Sequence, residues 1–564
     1  MVVIRSCHEL PDNEVITADV CIIGGGPAGL TIASALDGAP LRVVVLEAGG
    51  QPANRPAGLS ELSADAGDGD LAPPLRVPPR LGGAANEWNV RLANRQRGVR
   101  MLPLSPSDLE SRSWVPDSGW PIAWNELNRY YRRADEFLGL TDRGYGVDQW
   151  EDDRGKRLDL EEHGFTTKME QFASPAVFTR SIRKRLEASS NVAVYLDGAA
   201  GLIDGAPDRA THVMVDHGRA GRLRVEADIF VLASGGIDNA TMLLRAREGL
   251  GFAGSQDVVG RYYLDHQRVV TGLVTPTDND LFQNGSLYDL TTRDGAAAMG
   301  KLTPTEELLA TNRMLHSGSM LLPKPPAEIV SALAAPLAQP SPKALARTAG
   351  YVARVGTQMA IRQRRWRPRV DAGWSGLGGS AFDRFCVETQ VELAPDRNNR
   401  VRLGDSVDEF GRRRPEMSWR WNELDLQSLR ATTSLLQKAF SNSGLGEFEP
   451  DPWNDRPLLT TPNGAFHPSG TTRMGDSPTT SVTDRNAKLH GVANVYVSGS
   501  SLFPTVGYAN PTLTIVALGL RLADHLRPSS SIGERSFAPQ EQPQTRRRPG
   551  FQVFDELVTR HGSI

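Results

Sequence analysis

The sequence predicts an α/β protein in which a dinucleotide-binding domain is combined with a second domain built on a mixed sheet. Three observations predict this fold. A glycine-rich segment, Gly24-x-Gly26-x-x-Gly29, separates an apolar strand from a helix. A second unit of strand, glycines and helix follows near residues 229–246. The last hundred residues return to strand and helix patterns after a long stretch of different character, so the first domain is discontinuous in sequence.

Length, charge and cysteine content narrow the class of protein. The chain has 564 residues, which suggests two or more globular units. A formal net charge of -3 gives no reason to expect nucleic acid or an anionic membrane as a partner. Cys7, Cys21 and Cys386 are far apart, which excludes a CxxC redox pair and favours a reducing compartment. No apolar stretch approaches the ~20 residues of a membrane span, and the polar N-terminus shows no signal peptide, so we expect a cytoplasmic protein.

The first glycine segment lies in one βαβ unit. Residues 18–23 form a buried strand, residues 30–36 a helix, and residues 42–46 a second strand that ends at Glu47. Gly24 permits a tight turn, Gly26 lets the backbone approach a pyrophosphate, and Gly29 lets the helix lie close to the strand. Phosphates would bind at the helix N-terminus, and Pro27 and Ala28, which lie between the second and third glycines, are predicted cofactor-binding residues. This pattern leaves FAD and NAD both open.

An acidic side chain after the second strand adds to this prediction. Glu47, which precedes Ala48, can accept hydrogen bonds from ribose hydroxyls and would repel a 2′-phosphate, so NADP is disfavoured. A second match to the pattern, at residues 249–254, follows a helix and is interpreted as a loop. One good phosphate-binding turn therefore predicts one dinucleotide.

Four segments together resemble the glucose–methanol–choline (GMC) oxidoreductases. They are LGGAANEWNV at residues 81–90, VGRYYLDHQ at 259–267, FHPSGTTRMG at 466–475 and VYVSGSSLFPTVGYANPTLTI at 495–515. The resemblance runs from about residue 18 to about residue 526. It implies FAD as the cofactor, a p-hydroxybenzoate hydroxylase-like architecture, and oxidation of an alcohol.

The resemblance also implies which residues carry out the reaction. His467 stands where the family keeps its catalytic histidine, and Asn510 where it has a second His or an Asn. The residue types suit the chemistry, since a neutral imidazole can accept the hydroxyl proton near neutral pH. An amide can orient the substrate oxygen without competing as a base. We expect His266, in the weaker third segment, to be structural.

Further cofactor contacts follow from the same resemblance. Gly82, Gly83 and Asn86 lie in the turn that runs along the flavin in the family. The positions that would contact the rest of the cofactor are Ala200 at the adenine, Gly499 and Ser500 at the pyrophosphate, and Asn510, Pro511 and Thr512 at the flavin ring. Some relatives link the flavin covalently to a histidine just before a Trp in this turn. Here Glu87 precedes Trp88, so we predict non-covalent, dissociable FAD and no metal site.

The domain assignment follows these segments. We assign residues 1–100, 178–262 and 455–527 to the FAD-binding domain, and residues 101–177 and 263–454 to the substrate-binding domain. Residues 323–369, Pro- and Ala-rich and then strongly basic, form either a solvated helix pair or a lid or docking surface. Residues 528–564, rich in Ser, Pro, Gln and Arg, are predicted to be a flexible tail.

Substrate and electron acceptor are less constrained. The turn at residues 82–89, SGWPI at 118–122 and GYANPTLTI at 507–515 look most like the sugar-oxidising branch, so we expect a sugar, glycoside or aminoglycoside. A sterol, aryl alcohol or natural-product intermediate stays open, as do a non-redox lyase, a non-catalytic flavoprotein and an NAD-dependent dehydrogenase. O₂, a quinone or a redox protein could each reoxidise the flavin.

Overall fold

The structure, a computed structural model, describes residues 4–50, 78–326 and 381–528. Short gaps fall at residues 89, 93–96, 154, 219–220, 251–256, 409, 453–456, 458 and 460–465. A few residues between the three ranges are also described: 63–64, 346, 349–350, 353 and 374–375. The basic stretch at 361–369, most of the segment at 323–369 and the C-terminal tail from residue 529 onward lie outside the described residues.

The described residues form twenty strands and nine α-helices. The strands are β1 Ile4–Ser6, β2 Val15–Ile23, β3 Val43–Leu46, β4 Ser63–Ala64, β5 Val90–Arg91, β6 Arg97–Met101, β7 Phe165–Ala173, β8 Val192–Leu196, β9 Ala199–Ala206, β10 Arg209–His217, β11 Gly221–Leu232, β12 Gln267–Pro276, β13 Thr291–Arg293, β14 Ala296–Pro304, β15 Ser317–Lys324, β16 Arg384–Val391, β17 Arg400–Val407, β18 Arg413–Ser418, β19 Gly446–Pro450 and β20 Val495–Val497. The helices are α1 Pro27–Leu36, α2 Pro106–Leu109, α3 Trp124–Leu138, α4 Ile182–Glu187, α5 Asp238–Leu250, α6 Leu281–Asn284, α7 Glu306–Asn312, α8 Glu423–Ser443 and α9 Thr512–Leu526.

The first sheet has the order β1-β8-β3-β2-β11-β10-β9, and β20 pairs with β11. Strands β1, β8, β3, β2 and β11 pair parallel in that order, and β20 pairs parallel with β11. The pairs β11–β10 and β10–β9 are antiparallel. The central strands are continuous apolar runs because helices cover both faces of a parallel sheet. Helix α9 packs against α1 and α3. This confirms the predicted α/β fold and brings the last strand and helix beside the first glycine turn.

The second sheet has the order β19-β12-β16-β15-β14-β7-β6-β5, and β13 pairs with β14. Its described strands pair antiparallel, so the sheet that we predicted to be mixed differs in this respect. Mixed pairing occurs instead in a small sheet, β17-β18-β4. One face of the second sheet packs on α8 in an apolar cluster that includes Phe165, Met169, Val387, Leu436 and Phe440.

Some elements agree with the sequence pattern and others differ. The apolar periods at residues 124–138 and 512–526 predict two helices, and α3 and α9 have these bounds. A basic and apolar segment predicts a helix at 178–186, where the structure has a π-helical turn, Val177–Ser181, followed by α4. Helix α8 was not predicted, although Asn422 and Asp425 form a capping box at its start.

The two strands that the alternating pattern predicts at 269–275 and 388–393 also differ in their bounds. Strand β12 extends beyond the predicted segment at both ends, and β16 begins four residues earlier and ends two residues earlier than predicted. These bounds depend on the pairing of the strands with each other.

The two large sheets draw their strands from different parts of the chain. Strands of the first sheet come from residues 4–46, 192–232 and 495–497. However, β5 and β6, at residues 90–101, join the second sheet. The exact domain boundaries stay a prediction. Among the described residues, none of the helices has the length and apolar character needed to cross a bilayer.

Candidate functional site

The first glycine turn has the geometry of a phosphate-binding loop. Gly24 follows β2 with a φ of +118°, and a Cβ there would overlap the carbonyl oxygen of Ala233. A Cβ on Gly29 would overlap the carbonyl of Gly24, so only glycine lets α1 begin this close to the strand. Gly26 is the N-cap of α1, and a Cβ there would approach only Gly83, at 3.8 Å from its Cα atom. The turn therefore leaves an open approach to the N-terminus of the helix.

Glu47 lies at the end of β3, beside this turn. Its Oε2 atom accepts a hydrogen bond from the Gly25 N–H at 2.9 Å, and its Oε1 atom accepts one from Gly49 at 2.8 Å. Burial raises the pKa of the Glu47 carboxyl, while the two backbone donors oppose that rise. Each carboxylate oxygen has a further lone pair for a ribose hydroxyl. The partly buried Ala48 follows directly.

The second glycine-rich turn packs on the first. The Gly82 N–H donates to the Gly25 carbonyl at 2.8 Å, and both Gly82 and Gly83 have positive φ values, +95° and +48°. The Asn86 Nδ2 atom donates to the carbonyls of Leu81 and Gly83 at 3.0 Å, which closes the turn. The predicted cofactor residues 82, 83 and 86 thus lie against residues 25–26.

The end of the chain completes the same region. Gly499 follows β20 with a φ of +114°, and a Cβ there would lie 3.9 Å from the Ala28 Cβ atom. The Ser500 hydroxyl donates to the Pro468 carbonyl at 2.7 Å. Pro511 is the N-cap of α9, whose first residue is Thr512. Residues 24–29, 82–86 and 499–500 therefore lie close together, although they are distant in sequence.

Ala200 lies farther along the first sheet. It pairs with Val215 in the β9–β10 ladder, and its carbonyl faces the Arg412 guanidinium at 3.5 Å. The nearby Gly198 N–H donates to the Glu47 carbonyl at 3.1 Å, which connects this strand to the ribose-binding position. A contact between Ala200 and adenine stays a prediction.

His467 faces a second histidine, which we expected to be structural. The Nδ1 atoms of His266 and His467 are 2.9 Å apart, and the rings meet edge to face. The Nε2 atom of His266 is 3.0 Å from the carbonyl oxygen of Gly507. The Asp265 Oδ1 atom accepts hydrogen bonds from the backbone N–H groups of both His266 and His467. The sequence signal for this pair is Asp265-His266 in the segment VGRYYLDHQ, but the sequence alone does not indicate that His266 contacts His467.

These contacts permit one arrangement of protons when both rings are neutral. A carbonyl oxygen only accepts, so His266 must donate to Gly507 from Nε2. Its Nδ1 atom then has a lone pair, which accepts the Nδ1–H of His467. The Nε2 atom of His467 is consequently left with its lone pair. The geometry thus assigns the tautomer of His467 and presents an unprotonated nitrogen at Nε2.

Burial and nearby cations keep both rings neutral. Burial lowers the pKa of His266 to about 4, with a smaller contribution from the Lys301 ammonium. The pKa of His467 lies well below its ordinary value, first through burial and then through His266, Arg268, Lys301 and Arg100. Neutral imidazole is the form that can accept a proton from a hydroxyl group.

Asn510 is linked to this pair through one loop. The Gln390 Nε2 group, on β16, donates to the Tyr508 carbonyl at 2.6 Å and to Asn510 Oδ1 at 3.3 Å. The carbonyl of Gly507, at the start of the same loop, accepts a hydrogen bond from His266. His467 and Asn510 are therefore connected through one short loop, residues 507–510, without a direct hydrogen bond between them among the described residues.

The two glycine turns and the paired histidines are the features of the site that bear on its chemistry. A glycine turn at a helix N-terminus suits the phosphates of a dinucleotide, and a neutral histidine suits proton transfer. Residues 395–519, which are less than a quarter of the chain, match the family model described as GMC oxidoreductase. This match agrees with the resemblance that the sequence motifs indicate.

Named relatives are similar over part of the chain. Paromamine 6'-oxidase of Streptomyces fradiae is 33% identical over 24% of this chain and 24% of its own length. The fructose dehydrogenase large subunit of Gluconobacter japonicus is 26% identical over 56% and 48%. Pyranose 2-oxidase of Lyophyllum shimeji is 24% identical over 53% and 44%. The chain thus spans between about a quarter and a half of the length of these relatives.

Solved structures show a similar fold over nearly the full chain. A structure titled as an FAD-dependent oxidoreductase from Chaetomium thermophilum has a TM-score of 0.51 at 16% identity, covering 90% of this chain and 98% of that one. A formate oxidase has a TM-score of 0.50 at 15% identity, covering 91% and 98%. At this identity the likeness supports the fold alone.

Proposed function

We propose that the chain is an FAD-dependent enzyme that oxidises an alcohol to a ketone or aldehyde. The observation that carries the proposal is the histidine pair, in which His266 leaves the Nε2 lone pair of His467 free to accept a proton. The phosphate-binding turn at 24–29 and the carboxylate of Glu47 supply the features that a dinucleotide requires. The match of residues 395–519 to the GMC oxidoreductase model favours FAD over NAD.

In the proposed reaction, the cofactor and the side chains of the protein have separate roles. FAD, held by the turns at residues 24–29 and 82–86 and by Glu47, would supply the acceptor for the hydride of the substrate carbon. His467 takes the hydroxyl proton at Nε2, and its Nδ1–H bond to His266 strengthens as the ring becomes positively charged. The Asn510 amide, held by Gln390, orients the substrate oxygen. General-base assistance of this kind is worth ~10²–10⁴-fold in rate.

We infer that the substrate is a sugar or glycoside hydroxyl. Support comes from the names of the partial relatives, which include a paromamine oxidase, a fructose dehydrogenase subunit and a pyranose oxidase. An aminoglycoside hydroxyl is the third substrate that the sequence predicts, and the cations near His467 affect how its ammonium groups would bind. Oxidation of a non-sugar alcohol and a non-redox lyase reaction are the alternatives.

Acceptor and location belong to the same proposal. O₂, a quinone or a redox protein would reoxidise the flavin, and O₂ consumption distinguishes the first from the others. The three cysteines are free and buried, which is in keeping with a cytoplasmic location.

An anaerobic screen tests the proposal directly. The purified, yellow protein is mixed without oxygen with sugars, glycosides, aminoglycosides, sterols and simple alcohols, and bleaching of the flavin band is recorded. We expect a sugar hydroxyl to bleach it. A colourless protein that reduces added NAD would contradict the FAD assignment, and a product without bleaching would favour a lyase.

A substitution of His467 tests its assignment as the general base. His467→Ala should retain the flavin band and lose reduction rate by at least ~10²-fold, because the hydroxyl proton has no acceptor. His163→Ala, in a loop of the second domain, is the matched control and should leave the rate unchanged. Full activity of the first variant would remove His467 from the mechanism.

A further inference from the structure

One face of the second sheet lies against the loop that carries Asn510. Arg268 and Gly318 both pair with Gln390, so these three positions point to the same side of the sheet. Gln390 donates to the Tyr508 carbonyl, and a Cβ on Gly318 would meet the Tyr508 ring at 2.5 Å. This side of the sheet therefore covers residues 507–510.

Among the charged side chains of that face, five are defined here as the charged patch: Arg100 on β6, Glu170 on β7, Arg268 on β12, Lys301 on β14 and Glu388 on β16. The strand register places them on the same side of the sheet, because alternate residues of a strand share a face. Glu170 pairs with Met299, which is two residues before Lys301 on β14. Arg100 pairs with Phe172, which is two residues after Glu170 on β7. The Lys301 ammonium is 5.9 Å from the centre of the Tyr508 ring, which places the patch beside the site.

The cations of the patch outnumber its carboxylates. Glu170 is shared by two of them, with its Oε1 atom 2.8 Å from Lys301 Nζ and its Oε2 atom 3.2 Å from Arg100 Nε. Both Lys301 and Glu170 are fully buried. The second carboxylate, Glu388, is 4.0 Å from Arg268. Three cations thus stand against two carboxylates. Farther along the same face Lys168, Glu447 and Glu449 are exposed to solvent, which screens their charge.

Arg100 carries the excess charge. Apart from Glu170, its guanidinium lies beside the Met299 sulfur at 3.8 Å and 5.8 Å from the centre of the Phe172 ring, and neither group is anionic. Its side chain is 14% exposed, so water solvates it only in part. Among the described residues, Arg100 shares the carboxylate of Glu170 with Lys301, and a largely buried cation with a shared counter-charge is stabilised by an anionic ligand.

We propose that the substrate carries an anionic group, a carboxylate of a sugar acid in the first instance, and that Arg100 binds it. The inference rests on the proposed function and narrows it. It also predicts discrimination against amino sugars, whose ammonium groups would face Arg100, Arg268 and Lys301. The same three cations act on His467, so the positive potential of the patch reaches the place where the proton is taken.

A matched series of sugars tests the proposal. Glucose, glucuronate, glucose 6-phosphate and glucosamine share a ring and differ in charge. Binding to the flavin-loaded protein is measured by titration calorimetry, and flavin bleaching is followed separately under anaerobic conditions. We expect the carboxylate to bind about tenfold to a hundredfold more tightly than glucose, because charge-assisted hydrogen bonds are worth that factor. Glucosamine should bind more weakly than glucose. Tighter binding of the phosphate than of the carboxylate would assign the site to sugar phosphates.

Two variants should change the preference for the anionic over the neutral sugar in opposite directions. Arg100→Gln should abolish the preference for the anionic sugar, while Lys301 still neutralises Glu170. Glu388→Gln should increase it, by removing a carboxylate from the patch. Arg183→Gln, on the partly exposed surface of α4, is the control and should leave the preference unchanged. Thermal melts and flavin content establish that each variant is folded, and Glu388→Gln tests the proposal even where Arg100→Gln is unstable.

The outcomes separate the two proposals. Preferential binding of glucose or glucosamine, or a preference for the anionic sugar that survives Arg100→Gln, overturns the charged-patch inference. If neutral sugars bleach the flavin in that case, the proposed function stands without it. Conversely, charge-selective binding that depends on Arg100 but never bleaches the flavin supports the anion site and contradicts the proposed oxidation.

Discussion

His266 and His467 share a hydrogen bond whose proton arrangement is set by the Gly507 carbonyl. Replacing His266 by Ala removes the acceptor for the His467 Nδ1–H and lets the ring turn or change tautomer. We expect the rate of flavin reduction to fall about tenfold to a hundredfold, as for a misoriented catalytic group. His266→Gln, which can both donate and accept, should recover part of that rate. Equal rates in both variants and the wild type would show that His266 has no positioning role.

The depressed pKa of His467 has a consequence for the pH profile. Burial and neighbouring cations place the pKa of this ring well below its ordinary value of about 6.5. The neutral form, which acts as base, is present above the pKa of the folded protein and is lost only as pH falls through it. We therefore expect the acid limb of kcat/KM to lie well below pH 6.5. Stopped-flow flavin reduction between pH 5 and 8 measures it, and an acid limb at or above 6.5 contradicts the assignment.

At the next level of structure, the approach of α1 to β2 depends on Gly29. A Cβ at this position would overlap the Gly24 carbonyl oxygen and push the helix away from the phosphate-binding turn. We expect Gly29→Ala to lose most of its bound flavin and to destabilise the fold by about 1–3 kcal/mol, a usual range for overpacking.

Gly146 provides the control for that prediction. It is the N-cap of a short 3-10 helix, its φ is negative, and among the described residues no atom comes within 4 Å of an added Cβ. Gly146→Ala should therefore keep both the flavin content and the melting temperature of the wild type. Normal flavin content in Gly29→Ala would show that the turn tolerates a side chain.

The elements that the sequence predicted well are those with strong local signals. The glycine turn, α3 and α9 each combine a clear apolar period with a defined start, so their bounds could be predicted. The antiparallel strands β12–β16 could not, because their lengths depend on partners that are distant in the chain. The site followed the same rule. His467 and Asn510 were found through short motifs, whereas the role of His266 depends on a contact between residues 201 positions apart.

On the scale of the whole molecule, the residues that we propose to bind the cofactor come from segments that are far apart in the sequence, on either side of the strands of the second sheet. We predict that FAD is held there without a covalent bond, since Glu87 stands before Trp88 and forms an ion pair with Arg80. Acid precipitation should release the yellow colour into the supernatant, while the protein pellet should be colourless. Removal of FAD should also lower the melting temperature, because a ligand that binds only the native state stabilises it. Colour that stays with the pellet would contradict this prediction.

The pairing of β20 with β11, and of α9 with α1, bears on how the protein matures on the ribosome. The glycine turn emerges from the ribosome hundreds of residues before Gly499, Asn510 and α9. Until those residues emerge, the nascent chain holds only part of the proposed flavin site. Capture of the flavin should accordingly wait for α9, and chains interrupted before residue 495 should accumulate as colourless, protease-sensitive material.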